Sequence, residues 1–231
     1  MAVMVRRLIA FALFMTGVSV SGVGHAEALR PVDLRDICVT NGEIRTGSDG
    51  RLQVDSLSSR AVLRFRSQPA AEIRFTYLGS SARSKPLASG ELRQQIGIKL
   101  RAENSCNLVY AMWRIAPDSR VAVSIKRNPG MSTHQQCHAE GYITLRQTGA
   151  AAPPRIAVGQ THVLRAELRG ANLVVRADGV EAWRGGLGPV IADFDGPVGL
   201  RTDNARFAFD YLVGVAEPGP ATPDCLRAPG D

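Results

Sequence analysis

The stretch GQTHVLRAELRGANLVVRADG, residues 159–179, decides the fold. Over 161–169 the apolar Leu164, Ala166 and Leu168 alternate with Arg165, Glu167 and Arg169. Gly170-Ala-Asn172 then signals a tight hairpin, and 173–178 alternates again, with Leu173 and Val175 against Val174 and Arg176. A second turn signal, Ala177-Asp-Gly179, leads into 180–184. Period-two alternation cut by Gly and Asn is the pattern of half-buried antiparallel strands joined by hairpins.

The same pattern runs outward in both directions. Upstream it recurs over 61–66, 72–78, 95–101, 107–115, 120–127 and 141–146; downstream it recurs over 196–202 and 206–215. Residues 107–115 are apolar on both sides and read as a central strand ending at Trp113 and Arg114. A polar loop at 80–90, an Asn128-Pro-Gly130 turn and an Ala/Pro connector at 149–154 separate the runs. No long window carries a helical apolar stripe. With 231 residues, 45% hydrophobic, 21% charged and 6% aromatic, the chain is neither disordered nor collagen-like nor a polytopic membrane protein. The expectation is an all-β chain: one antiparallel β-sandwich, a jelly roll of about eleven or more strands, over 27–231.

Residues 1–26 read as a secretory signal peptide: Arg6-Arg7, an apolar run from Leu8, then small residues to Gly24-His-Ala26, with Ala28 as a second cleavage position. The run is too short and too interrupted for a membrane span, so the mature chain is expected in the periplasm or secreted, without stable membrane insertion. In that compartment Cys38, Cys106, Cys137 and Cys225 read as two disulfides. Three pairings are possible; Cys38–Cys225 and Cys106–Cys137 are preferred, the first pinning an extended tail at 217–231. The rival, a metal cluster at His134-Gln-Gln-Cys137-His138, lacks a second ligand pair at zinc spacing.

Three segments carry a resemblance: the quoted stretch, then EAWRGGL at 181–187, then GPVGLRTDNARFAFDYLVG at 196–214. Their order is similar to the last strands of laminin-G-like and concanavalin A-like lectin/glucanase domains. The segments AEIRFTYLG at 71–79 and QIGIKLRAENSCNLVYAMWRI at 95–115 look like the matching earlier strands. The likeness spans roughly 55–215 and implies a concanavalin A-like jelly roll, a fold that hosts lectins, glycosidases and protein-binding modules alike. The block KRNPGMSTHQQCHAEGYI at 126–143 resembles nothing to which that superfamily gives a role.

The chemistry is sparse. A glycosidase needs two carboxylates flanking the scissile bond, and the glucanase branch carries them as Glu-x-Asp-x-(x)-Glu, a run absent here. A hydrolase would therefore have to assemble dispersed carboxylates. There is no Gly-x-Ser-x-Gly elbow. No cofactor is expected; Asp193 and Asp195 could hold calcium, but two Asp beside Gly are more often turn formers.

Cations are the feature that stands out: 25 Arg against 3 Lys, within a net charge of +7. Arg64, Arg66, Arg74, Lys99, Arg101, Arg114, Lys126, Arg165, Arg176 and Arg201 fall at strand positions opposite apolar ones, or at strand ends. Guanidinium forks match carboxylate, sulfate or phosphate oxygens in pairs. Nucleic acid is a poor partner, since neither a recognition helix nor aromatics interleaved with cations are present. The expectation is a monomeric, lectin-like binder of an extracellular or cell-envelope glycan, an anionic one among the candidates; a glycoside hydrolase with dispersed carboxylates is the alternative, and a structural or protein-interaction module of the envelope the further one. Its expected ligand residues are Arg101, Trp113, Arg114, Lys126, Asn128, His134, Arg201 and Asn204, with Trp113 as the stacking ring.

Overall fold

The computed structural model describes residues 28–215, and it is built almost wholly of antiparallel strands. Three short strands open the chain: β1 (Leu29–Pro31), β2 (Ile37–Asn41) and β3 (Arg45–Thr46). The long β4 (Leu52–Leu63) and β5 (Ser67–Ser80) follow, then β6 (Gln94–Leu100), β7 (Leu108–Ala116), β8 (Arg120–Lys126) and β9 (Tyr142–Thr144). A single turn of helix, α1 (His134–Cys137), interrupts the segment between β8 and β9. The hairpins read from the sequence form β10 (Thr161–Arg169), β11 (Asn172–Ala177) and β12 (Val180–Gly186). The last described strand is β13 (Gly199–Val215). No helix among the described residues is long and apolar enough to cross a membrane.

Thirteen strands form one continuous sheet, in the order β12-β11-β10-β5-β13-β6-β7-β8-β9, with β4 and β1 on the other edge of β13. The sheet doubles back on itself as a jelly roll. Its front limb carries β4, the start of β13, and β6 to β9; its back limb carries β5, β10, β11, β12 and the end of β13. Between the limbs lies the core. Trp113 of β7 meets Phe75 of β5 edge to face at 5.7 Å and His162 of β10 at 5.5 Å.

The fold turns on Asn204. Residues 199–203 of β13 pair with β6, while 205–215 pair with β5. At the switch Asn204 adopts φ of 55°, a left-handed conformation that Asn tolerates better than most residues. One left-handed residue inverts the pleat: Leu200 and Thr202 point inward before it, Ala205, Phe207 and Phe209 after it. The facing strand inverts at the same level, with Leu52 and Val54 inward on one side and Ser59, Ala61 and Leu63 on the other. The break between the runs 196–202 and 206–215 is thus a crease within one strand. The Asn204 side chain is fully buried and holds the β5–β6 loop by three bonds: its Oδ1 accepts from Lys85 N at 2.9 Å, and its Nδ2 donates to the carbonyls of Lys85 and Arg93. With its amide satisfied by backbone, Asn204 works as a strut.

Cys106 and Cys137 form a disulfide, as preferred from the sequence. Cys38 is also disulfide-bonded. Cys225 and residues 217–231 lie outside the described residues, as do residues 1–26, which the sequence reading takes as a signal peptide.

Candidate ligand-binding face

On the front limb the inward face belongs to Ile96, Ile98, Ala111, Trp113, Val121 and Val123, so the alternate residues face out. Register sets them in rows. One row reads Ser58, Asp203, Gln95, Arg114, Arg120; the next reads Arg60, Arg201, Gly97, Met112, Ala122. A third reads Val62, Gly199, Lys99, Tyr110, Ser124, Thr144, and beside it Lys126 pairs with Tyr142. Gly97 is required here. A Cβ at that position would lie 2.5 Å from the Ala111 carbonyl oxygen and from Met112 Sδ.

Arg201 and Asp203 anchor the middle of this face. Arg201 Nε donates to Asp203 Oδ2 at 2.8 Å, and the carboxylate also accepts from Gln95 Nε2 and Ser58 Oγ. Burial works against the Arg201 charge, but Asp203 together with the oxygens of Tyr110 and Tyr142 outweighs it and holds the guanidinium firmly protonated. The guanidinium lies 5.1 Å from the Tyr110 ring centre, and Tyr110 in turn stacks on Tyr142 at 6.0 Å. Tyr142 keeps 40% of its surface exposed, yet its hydroxyl turns inward to accept from Arg201 at 3.4 Å. Desolvation, with Tyr110 beside it, pushes that hydroxyl up to about 12.

Cations crowd the upper end. Arg114 stands directly across from Arg120, a like-charge pair of the kind that destabilises a sheet. Among the described residues neither has a carboxylate within ion-pair distance. Arg114 Nε is buried without a hydrogen-bond partner. Burial, with Arg93 and Arg120 close by, pushes the Arg114 guanidinium down to about 10. The nearby Glu91 is engaged by Arg93, which holds its carboxyl below the usual range. A general acid needs the opposite shift, and Asp203 is fully buried among donors.

The residues expected from the sequence scatter over this map. Arg114 and Arg201 lie on the face. Trp113 is fully buried in the core and donates its Nε1–H to Ser119, so it offers no ring to solvent. Arg101 donates to the carbonyls of Ile191 and Phe194, tying down the short helical turn Pro189–Asp193. Lys126 is buried, its Nζ bonded to the Ser105 and His138 carbonyls and to Cys137 Sγ. Asn128 links two chain segments through the Cys106 and Glu140 carbonyls. His134 opens α1, its ring 6.2 Å from that of His138. Asp193 and Asp195, the calcium candidates, are paired with Arg127 and Arg66. Sequence reasoning passed over Arg60, Arg120, Tyr142 and Asp203. Arg120 was within reach: counting a hairpin outward from 117 sets it opposite Arg114.

No family model matches the chain, and no curated protein does. Solved structures do. The carbohydrate binding module CBM66 from Bacillus subtilis superposes with a TM-score of 0.52 at 15% identity, over 75% of this chain and 91% of that one. The metal-free carbohydrate recognition domain of Emp46p gives 0.50 at 9% identity, over 79% and 90%. At such identities the likeness establishes the fold alone, an antiparallel β-sandwich of the jelly-roll kind.

Proposed function

We propose that this protein is an exported, lectin-like module that binds an acidic glycan on its front face, through Arg60, Arg114, Arg120 and Arg201 beside the exposed edge of Tyr142. The observation that carries the reading is the Arg114–Arg120 pair, held across two strands with no carboxylate in ion-pair contact among the described residues. An anion bridging the two guanidiniums would relieve their repulsion and satisfy the buried Nε. Tyr142 adds the apolar platform that sugar rings use. Support also comes from the printed names of the two solved structures, a carbohydrate binding module and a carbohydrate recognition domain. A disulfide in the fold agrees with an oxidising compartment outside the cytosol.

The test is retention on immobilised dextran sulfate against neutral dextran. Lys126 is unsuitable as a partner for charge reversal because its ammonium holds the Cys137 segment in place. Arg114→Glu combined with Arg120→Glu is expected to cut retention on dextran sulfate at least tenfold and leave the Tm within a few degrees of wild type. Wild-type retention should weaken with added salt, as screening of exposed charges demands. Equal retention by the double variant, or equal retention of wild type on both matrices, would refute the site.

A further inference from the structure

β4 and β1 take successive stretches of the same edge of β13: Leu52 is in register with Phe209, and Pro31 with Leu212. The end of one strand therefore meets the start of the other, and there they part. After Pro31 the chain bends into the short helical turn Leu34–Asp36. Before Leu52 it leaves a tight turn in which Gly50 N donates to the Gly47 carbonyl at 3.1 Å. The parting opens a cleft of about 460 Å³, lined by residues 209–211 of β13 and by the diverging ends of the other two strands. Small-molecule sites occupy about 300–1,000 Å³, so this one has room for roughly one or two sugar rings. It belongs to the back limb, away from the arginine rows of the front face. We infer that the cleft is a second binding site, for a neutral, hydroxyl-rich ligand of that size, held between Asp33, Arg51 and Asp210.

The polar groups of the cleft are fixed on one wall and open on both. Arg51 is anchored by neutral acceptors: its Nη1 donates to Thr76 Oγ1 at 2.9 Å and its Nη2 to the Arg74 carbonyl at 3.0 Å. Its buried Nε has no hydrogen-bond partner, and Asp210 Oδ2 stands off from it at 3.5 Å. A hydroxyl accepts and donates through one oxygen, and at hydrogen-bond distances of about 2.7–3.0 Å that oxygen can reach both groups across such a separation. Asp210 keeps 54% of its side chain exposed, so it has acceptor positions to offer. On the other wall Asp33 is 63% exposed and accepts from Arg35 at 2.9 Å. Carboxylates that accept from neighbouring hydroxyls make strong, charge-assisted bonds. Pro31 and the partly buried Leu34 add the apolar surface against which C–H groups of a ring can lie. Charge selects the class. Asp33 and Asp210 against Arg35 and Arg51 leave the lining without net charge, and an acidic group entering it would lie against one of the two carboxylates. The front face, where Arg114 and Arg120 meet no carboxylate at ion-pair distance, presents the opposite condition.

This site does not rest on the function proposed above, and its test is separate. Amide NMR shifts of isotope-labelled protein are followed during titration with the methyl glycosides of glucose, galactose and mannose and with lactose and maltose. Glucuronate and glycine serve as the anionic and zwitterionic comparisons. At least one neutral probe should give saturable shifts at residues 32–35, 50–52 and 210–211, and should bind more tightly than glucuronate or glycine. Asp210→Ala should weaken that probe at least tenfold, as loss of a charged acceptor does, and leave retention on dextran sulfate unchanged. Asp33→Ala, on the opposite wall and outside any strand, repeats the measurement without touching β13. Absence of saturable shifts with every neutral probe, shifts confined to other residues, equal binding of glucuronate or glycine, or undiminished binding in both variants overturns the inference. The titration decides this site whether or not dextran sulfate is retained, so failure of one reading is distinguishable from failure of the other.

Discussion

Two cross-strand arginine pairs invite comparison. On the back limb Arg165 of β10 faces Arg176 of β11, and on the front limb Arg114 of β7 faces Arg120 of β8. The next strand over supplies Glu72 beside Arg165 but Gln95 beside Arg114. Around the back pair the ladder is complete: Arg74 binds Glu72, Glu72 binds Arg165, Arg165 binds Glu167, and Glu167 binds Arg176. Burial alone would raise the carboxyl of Glu167, but Arg165 and Arg176 outweigh it and hold it below the usual range. Around the front pair Asp203 is committed to Arg201 and Glu91 to Arg93. The same backbone motif therefore makes a neutralised surface on one side and a charged one on the other. Arginine abundance by itself says little about ligand binding; where the carboxylates fall says more.

Asp203 sets the largest expected effect. Replacing it with Ala leaves Arg201 buried and unpaired, and the loss should be about 3–5 kcal/mol, read as a drop in the denaturation midpoint. A smaller loss would show that Arg201 can escape to solvent, and that the front face is looser than its packing implies.

Making the back face resemble the front comes next. Glu72→Gln with Glu167→Gln should cost roughly 1–3 kcal/mol, since it removes the acceptors of partly buried guanidiniums. It should also confer new retention on dextran sulfate, because the Arg165–Arg176 pair would then lack a counterion. A depressed carboxyl adds stability above its unfolded pKa and loses it as pH falls through the lower folded value. Wild-type Tm should accordingly drop between about pH 5 and pH 3, and the drop should be shallower in the double variant. Parallel pH curves would remove Glu167 from the ladder's energetics.

Arg114→Gln is the smallest and the most diagnostic, because its sign is reversed. A cation whose folded pKa is lowered costs stability at every pH below the folded value, and the cost fades only as pH rises from there towards the unfolded value. Removing the charge at neutral pH should raise stability by up to about 1 kcal/mol, after allowance for solvent around a half-buried group. Retention should fall at the same time. A destabilised Arg114→Gln would mean that the side chain is structural, and the contrast between the two limbs would lose its basis.

Alternation made the hairpins of β10, β11 and β12 legible, because glycine turns separate them and β10 and β11 keep one inward parity, which β12 breaks only at Ala182 and Trp183. It misled at β13. The inversion at Asn204 breaks the alternation in one place, so a single 17-residue strand reads as two strands and a turn. β1, β2 and β3 escaped because they are short and partly polar, held by pairing with β13 and β4 more than by their own pattern. At the site, periodicity showed that Arg114 and Arg201 face outward but not which outward residues are covered. Lys126 has the pattern of a surface cation, and only the folded 128–141 segment shows that it is buried beneath a disulfide. Trp113 sits one residue from Arg114, and that single step of pleat separates core from face.

The central place of β13 bears on how the chain folds. It is the last of the described strands, yet β1, β4, β5 and β6 all pair with it. The pairing of β4 with β13 joins residues separated by more than half the chain. Contacts so distant in sequence are slow to form, because the loop entropy is lost before any pairing is gained. Until residues 199–215 arrive, four strands lack their common neighbour and the two limbs have no hinge. A polypeptide arranged this way stays open while most of it is being made, and that is the condition in which a chain can be threaded across a membrane before it closes.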